Sequence, residues 1–297
     1  MTADTLDTAR ERLRPHVERA QHFTGWLALP TPRPLGPDKP WDYIQRAQQL
    51  LANLAESPFS LPSPQAGRGL RGGVPPCVLD LGTGGGERFA ALLESSGSPS
   101  AASPESGPPS PSTRRGLGGG VRPVATEEWS VNAPIAAATL RPHNASVVHC
   151  TSLLLPFADA TFDLILSRHE AITPSEVART LRPSGAFLTQ QTWRFLEELH
   201  YYIPRTTDFG DHFNGYGSGL HAAGLTIADG REHVLPHAFD SLEDLVYLLC
   251  IASWEIPDFD PLGKDLQPLL ALERDLTTPE GLTLTCGHYI IEAHKPT

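Results

Sequence analysis

The chain is poor in sulfur, in aromatic side chains and in positive charge. Its 297 residues include one methionine, four cysteines and 7% aromatics. Cys77, Cys150, Cys250 and Cys286 stand far apart and show none of the paired spacings of a zinc or iron–sulfur site, so no metal is expected and the cysteines read as buried free thiols. Lys and Arg number 23 against 34 Asp and Glu, a formal charge of -11. That balance removes bulk attraction to phosphate backbones and anionic membranes, and argues against nucleic acid as a partner. No run of about 18 apolar residues is there to cross a bilayer. The stretch from Met1 to Arg14 is charged where a signal peptide needs apolar residues. The expectation is a soluble cytoplasmic protein with no membrane partner; its oligomeric state leaves no signature.

What is abundant is glycine and proline, and their distribution is uneven. Of 26 Gly and 29 Pro, 14 Gly and 11 Pro fall between Pro58 and Pro123. Within that region the segment from Ser63 to Pro76 matches the segment from Ser110 to Pro123 at nine of fourteen positions. Two copies with almost nothing apolar to bury do not make a solenoid. They read as low-complexity inserts, at about 58–76 and 95–122.

Outside the inserts, 40% hydrophobic residues suffice for a large core. Leu6, Leu13, Val17 and Ala20 have helical spacing, and a second helix is predicted from Trp41 to about Ala55. From Cys77 onward short apolar runs alternate with helical stretches. Strands are predicted at Cys77 to Leu81, Val124 to Glu127, Ser146 to Cys150, Phe162 to Ser167 and Ala186 to Gln190. Helices fall between them at Glu87 to Glu94, Val131 to Leu140 and Ser175 to Leu181. Such alternation implies a doubly wound, mostly parallel sheet. Further on come a helix at Gly217 to Ala223, a strand at Leu225 to Val234, inserted helices at about 240–276, and a last strand from Leu282 to Ala293, expected to return antiparallel.

The chemistry concentrates in Val78-Leu79-Asp80-Leu81-Gly82-Thr83-Gly84-Gly85-Gly86-Glu87, an apolar strand ending in an acid, then a glycine loop opening a helix. Glycines there permit a tight turn and close approach of a ligand to the backbone. A nicotinamide-type G-x-G-x-x-G counted from Gly82 would end on Glu87, so the spacing is D-x-G-x-G-x-G instead. This pattern resembles motif I of the class I S-adenosylmethionine (SAM) dependent methyltransferases, type 11-like. Leu155-Pro156-Phe157-Ala158-Asp159-Ala160-Thr161-Phe162-Asp163 resembles that family's loop into its fourth strand. Leu181-Arg182-Pro183-Ser184-Gly185 resembles its L-x-P-G-G turn, with Ser184 in place of the first glycine.

The resemblance implies a Rossmann-like α/β fold of seven strands, with a helical cap over 1–57 and the SAM-binding domain over 58–297. It implies SAM as cofactor, held by Asp80, Gly82, Thr83, Gly84 and Gly86, with Glu127 at the end of the next strand receiving the ribose hydroxyls. The 47-residue gap from Asp80 to Glu127 shrinks to 19 once Ser95 to Arg122 is removed. Where the family often has an Asp for the adenine amine, this chain has Cys150-Thr151-Ser152, leaving Thr151 and Ser152 as adenine contacts. The acceptor side is expected after the fourth strand, at Ser167-Arg168-His169-Glu170. His169 and Glu170 are candidates for base and orienter, and Arg168 and Trp254 for acceptor contacts. No Asn-Pro-Pro-Tyr occurs, which argues against methylation of base amines. The expected function is methyl transfer from SAM to a small-molecule acceptor; RNA or protein methylation and non-catalytic SAM binding are the alternatives, and a nicotinamide oxidoreductase is the outside rival.

Overall fold

The computed structural model of the chain describes residues 3–24, 29–56, 75–95, 121–194 and 196–297. The two low-complexity inserts read from the sequence lie, apart from their edges, outside the described residues. The chain divides into two compact units, one of residues 1–40, 192–213 and 232–289, the other of 41–191, 214–231 and 290–297.

The elements are α1 (Ala3–Ala20), β1 (Arg33–Pro34), α2 (Tyr43–Glu56), β2 (Cys77–Leu81), α3 (Glu87–Ser95), β3 (Arg122–Glu127), α4 (Asn132–Leu140), β4 (Ser146–His149), β5 (Phe162–Arg168), α5 (Pro174–Thr180), β6 (Leu181–Trp193), α6 (Leu199–Tyr202), α7 (His212–Ala222), β7 (Thr226–Phe239), α8 (Leu242–Ile251), α9 (Leu266–Leu276), β8 (Thr277–Thr278) and β9 (Gly281–His294). The strands pair in the order β1-β7-β9-β6-β5-β2-β3-β4, with β8 on β9. Strands β4, β3, β2, β5 and β6 run parallel. Ser184, near the start of β6, donates to Lys295 just past the end of β9, and Lys295 donates back to Gly185, the pairing of strands running in opposite directions. The doubly wound, mostly parallel sheet expected from the sequence is therefore present. Among the described residues it has nine strands, because two-residue pairings at β1 and β8 add to the seven longer ones.

In the unit containing 41–191, β2 lies centrally, with β3 and β4 on one side and β5 and β6 on the other. Strands buried on both faces read as unbroken apolar runs, and Cys77, Val78, Leu79 and Leu81 of β2 are all buried. Helix α2 packs one stripe, Tyr43, Ala47, Leu50 and Leu51, with Val78, Leu164, Leu166 and Phe89. The resembling motifs before β5 and β6 are scaffolding here. Asp163 accepts from the backbone of Cys77 at 2.7 Å and from Arg182 at 2.6 Å, tying the starts of β2 and β6 to β5. Arg179 of α5 donates to the carbonyls of Phe157 and Leu155 and pairs with Glu176, which fixes the loop that precedes β5. In the other unit α8 starts at Ser241, whose hydroxyl accepts from the amide of Asp244, and buries Leu242, Leu245, Val246, Leu248 and Leu249 against α1 and α9 residues.

Ser184 has φ of 64°, the left-handed region that the usual glycine of this turn accommodates freely. A side chain there costs roughly 1–2 kcal/mol, offset in part by the extra unfolded-state freedom of glycine, about 0.4–1 kcal/mol. Ser184→Gly is expected to raise stability by about 0.5–1 kcal/mol, seen in thermal melting as a rise of roughly 1–3 °C. An unchanged or lower melting temperature would show that the serine hydroxyl contributes more than the strain.

Candidate functional site

The carboxyl ends of β2, β3, β4 and β5 meet at one edge of the sheet, on either side of the strand where the order reverses, which is where open α/β sheets form their ligand crevice. The glycine loop leaves β2 with Gly82 at φ 62° and Gly84 at φ 63°. Its backbone donors are turned toward β3. Gly82 donates to the Thr126 hydroxyl, Thr83 to the Thr126 carbonyl at 2.9 Å, and Gly84 to the Glu127 carboxylate at 2.7 Å. The Gly86 amide donates to Thr83. At Gly86 a Cβ would meet Leu140 of α4, so this glycine lets two helices approach.

Glu127 is 6% exposed and each of its oxygens accepts one amide, from Gly84 and from Trp129. Burial raises its pKa and these two bonds hold it down. A carboxylate offers about four lone-pair directions, so acceptor capacity remains toward the crevice. Asp80, at the end of β2, is pushed up to about 7, chiefly by burial; the nearby Thr83 hydroxyl and Arg168 guanidinium favour its charge, and Glu127 opposes it. The Thr83 hydroxyl itself is buried without a partner in normal hydrogen-bond geometry. The Tyr43 hydroxyl of α2 is another buried polar atom without a partner, close to Asp80, Arg168 and the backbone of Ser167.

After β5 the chain turns sharply, with His169 at φ 59°. The turn is pinned from β6: His169 donates its amide to Gln190, and the Gln191 side chain donates to the Glu170 carbonyl at 2.8 Å and to Ser167 and Thr189. Trp41 donates to the Gln190 side chain at 2.9 Å. This buried amide brace is not legible in the sequence, because glutamines in a strand carry no periodic signal. Its outcome is that His169 is exposed while Glu170 turns inward. A Cβ at Gly82 would overlap the Glu170 carboxylate, which therefore lies against the glycine loop. Glu170 hydrogen-bonds Ser152 and is pushed up to about 7, mainly by burial, with Glu127, Glu128 and Asp80 adding to the rise. Ser152 is buried, and the Thr151 hydroxyl accepts the amide of Leu153.

The structure thus brings Asp80, Gly82, Thr83, Gly84, Glu127, Ser152, Arg168 and Glu170 to one crevice. Trp254 belongs to the other unit, 51% exposed, with its indole donating to Glu255. Among the described residues no three His, Cys, Asp or Glu side chains group as a metal site, and no helix is long and apolar enough to cross a membrane.

Asp80, Glu170 and Glu255 all have pKa values near 7 in the folded chain, against ordinary carboxyl values near 4 when unfolded. The unfolded chain then releases protons first as pH rises. Their contribution to stability is full below about pH 4 and is lost as pH rises through 7. The ligand-free protein is expected to melt at lower temperature at pH 8 than at pH 6, and Asp80→Asn together with Glu170→Gln should flatten that slope. A melting temperature that rises over this interval in the wild type would contradict the burial of these acids.

No protein-family model matches the sequence, and no curated protein matches it either. Solved structures do. A proposed methyltransferase from Bacillus halodurans C-125 aligns at a TM-score of 0.50 and 16% identity, covering 75% of this chain and 94% of its own. A protein of unknown function from Deinococcus radiodurans R1 aligns at a TM-score of 0.53 and 16% identity, covering 95% and 97%. With the strand order, the glycine loop after the central strand and the antiparallel return of β9, these likenesses establish the architecture: the chain has the fold of the class I SAM-dependent methyltransferases.

Proposed function

We propose that the protein is a SAM-dependent methyltransferase acting on a small-molecule acceptor. The observation that carries this reading is how the glycine loop spends its amides. A dinucleotide site needs free N–H groups at the loop and helix start to hold a pyrophosphate. Here four of the loop amides, those of Gly82, Thr83, Gly84 and Gly86, are already bonded within the protein, so fewer donors are left for a pyrophosphate. What faces the crevice instead is a set of carboxyls, Asp80, Glu127 and Glu170, suited to a ligand with a diol and positive charge and hostile to phosphate.

SAM fits that donor set, with its ribose diol, ammonium and sulfonium. Glu127 would accept the ribose hydroxyls, Ser152 and Thr151 would lie along the adenine, and Gly82 and Gly84 would flank the methionyl part. The unpartnered Thr83 and Tyr43 hydroxyls mark polar capacity that the protein alone leaves unused. SAM supplies a methyl group already activated for displacement. The chain's own residues then position the acceptor and remove its proton. Glu170, with a pKa about 7, is matched to proton transfer at neutral pH, and His169 next to it stands on the exposed side from which an acceptor enters. The formal net charge of -11 supports a small molecule over RNA.

The test is transfer of labelled methyl from SAM across a panel of small molecules, RNA and proteins, with S-adenosylhomocysteine release as a second readout. Label in a small molecule is the expected result. Label in RNA or protein would replace the acceptor class, and tight binding without any release would identify a SAM-binding module.

A further inference from the structure

The pairing of β5 with β6 ends at Arg168 opposite Gln190, and Gln191 is the first residue past that ladder. There the chain leaving β5 turns through His169 at φ 59°, a left-handed conformation that a side chain adopts only under strain. Such a turn persists where its surroundings over-determine it. Three bonds do so here: the His169 amide donates to the Gln190 carbonyl at 2.9 Å, and the Glu170 carbonyl accepts from the Gln191 side chain at 2.8 Å and from the Ser167 hydroxyl at 3.4 Å. A carbonyl oxygen only accepts, so the contact fixes the nitrogen of the Gln191 amide toward the turn. The same nitrogen is anchored on the hydroxyls of Thr189 at 2.8 Å and Ser167 at 3.3 Å. Ser167 and Thr189 are fully buried and Gln191 nearly so. A buried polar set of this kind adds little to stability, since apolar groups of the same shape can replace both partners at small cost. What it fixes is direction.

We propose that Gln191 is a positioning residue: through the Glu170 backbone carbonyl it holds the Glu170 carboxyl inward against Gly82, in the place where that carboxyl would serve as the base of methyl transfer. The inference rests on the methyltransferase reading and adds to it a residue that acts through Glu170. The inward place is given by the overlap that a Cβ at Gly82 would have with the Glu170 carboxylate. The titratable groups around that carboxyl are Asp80 of β2, Glu127 and Glu128 at the end of β3, and Cys150 after β4, and none of these is a cation. Burial, with the three acids adding to it, is why Glu170 ionises at about 7. Released from the brace and turned to water, the same carboxyl would return toward the ordinary glutamate value of about 4.3.

The carbon-13 carboxyl resonance of Glu170, assigned with Glu170→Gln, reports this position in the ligand-free protein. Its titration midpoint is expected at about 7 in the wild type and below about 5.5 in Gln191→Met, a side chain of similar length without a donor. Thr189→Val is the comparison. It takes an anchor from Gln191 but leaves the bond to Glu170, so it should lower the melting temperature and keep the wild-type midpoint. Gln191→Asn keeps an amide that falls short of the turn; it should move the midpoint as methionine does, and it stands in if Gln191→Met does not fold. The rising limb of kcat in Gln191→Met should move to lower pH with the carboxyl, and turnover at neutral pH should fall about tenfold or more, the cost of a misplaced base. An unmoved midpoint in folded Gln191→Met or Gln191→Asn, or an equal move in Thr189→Val, would overturn the proposal and leave the SAM reading intact. So would Gln191 side-chain amide protons that exchange with water in the wild type as fast as those of an exposed glutamine, a readout that needs no variant. A wild type that binds no S-adenosylhomocysteine overturns the SAM reading, and with it the reaction that Gln191 would serve.

Discussion

Gly82→Val is expected to cost at least about a hundredfold in SAM affinity, equivalent to roughly 2.7 kcal/mol or more. Gly82 sits at φ 62°, a conformation that a β-branched residue adopts only with strain of about 1–3 kcal/mol. A side chain there would also overlap the Glu170 carboxylate. The loop cannot rotate out of the conflict, because Gly82 and Thr83 are bonded to Thr126 and Gly84 to Glu127. Either the valine displaces Glu170 across the crevice or the loop leaves β3, and both outcomes destroy the surface that the methionyl part would touch. The control is Gly217→Ala in α7, where an added Cβ meets nothing within 4 Å. That variant should bind as the wild type does and gain about 0.5–1 kcal/mol in stability. A folded Gly82→Val protein with wild-type affinity would remove the glycine loop from the site.

Turnover should fall by about a hundredfold in Glu170→Gln, the size of a lost general base, with SAM affinity changed far less than turnover. The pH profile distinguishes this from a structural role. Wild-type kcat is expected to rise with pH through about 7, as the Glu170 carboxyl ionises, and that limb should vanish in Glu170→Gln. His169 needs a different substitution. Its φ of 59° disfavours alanine, whereas asparagine tolerates the left-handed region, so His169→Asn removes the imidazole and keeps the turn. If His169 assists the base, His169→Asn should lower turnover with unchanged melting temperature. A variant with wild-type turnover assigns proton removal to Glu170 alone. Retention of both turnover and the pH limb in Glu170→Gln would exclude Glu170 as the base.

The parts of this molecule that a sequence reader can find are those whose pattern is dictated by burial. Strand β2, buried on both faces, matches its apolar run end to end, and α8 and α9 fall within the helical stretch expected at about 240–276. Helix α7 begins five residues before the predicted Gly217, because Gly215, Gly217 and Gly219 read as breakers; Gly215 and Gly217 face open space, and Gly219 brings the helix against Pro174. Strand β6 extends through Pro183 and Ser184, residues that lower strand propensity but pair there with the chain around Lys295. Helix α6, only four residues long, has no periodicity to detect.

The site divides in the same way. The glycine loop, Asp80 and Glu127 stand in a linear order that the motif preserves, although Asp80 and Glu127 are 47 positions apart. The inward turn of Glu170, the brace from Gln190 and Gln191, and the approach of Tyr43 depend on contacts between strands and helices far apart in sequence. Nothing in local spacing encodes them. The bonding of Thr126 to two loop residues was equally invisible.

Whether this crevice holds SAM is decided by a calorimetric titration of the wild-type protein with S-adenosylhomocysteine and, separately, with NAD. Saturable one-to-one binding of S-adenosylhomocysteine is expected, weakened about tenfold or more in Glu127→Ala, with no binding of NAD. Binding of NAD, or no heat with S-adenosylhomocysteine from a protein that melts cooperatively, would contradict it.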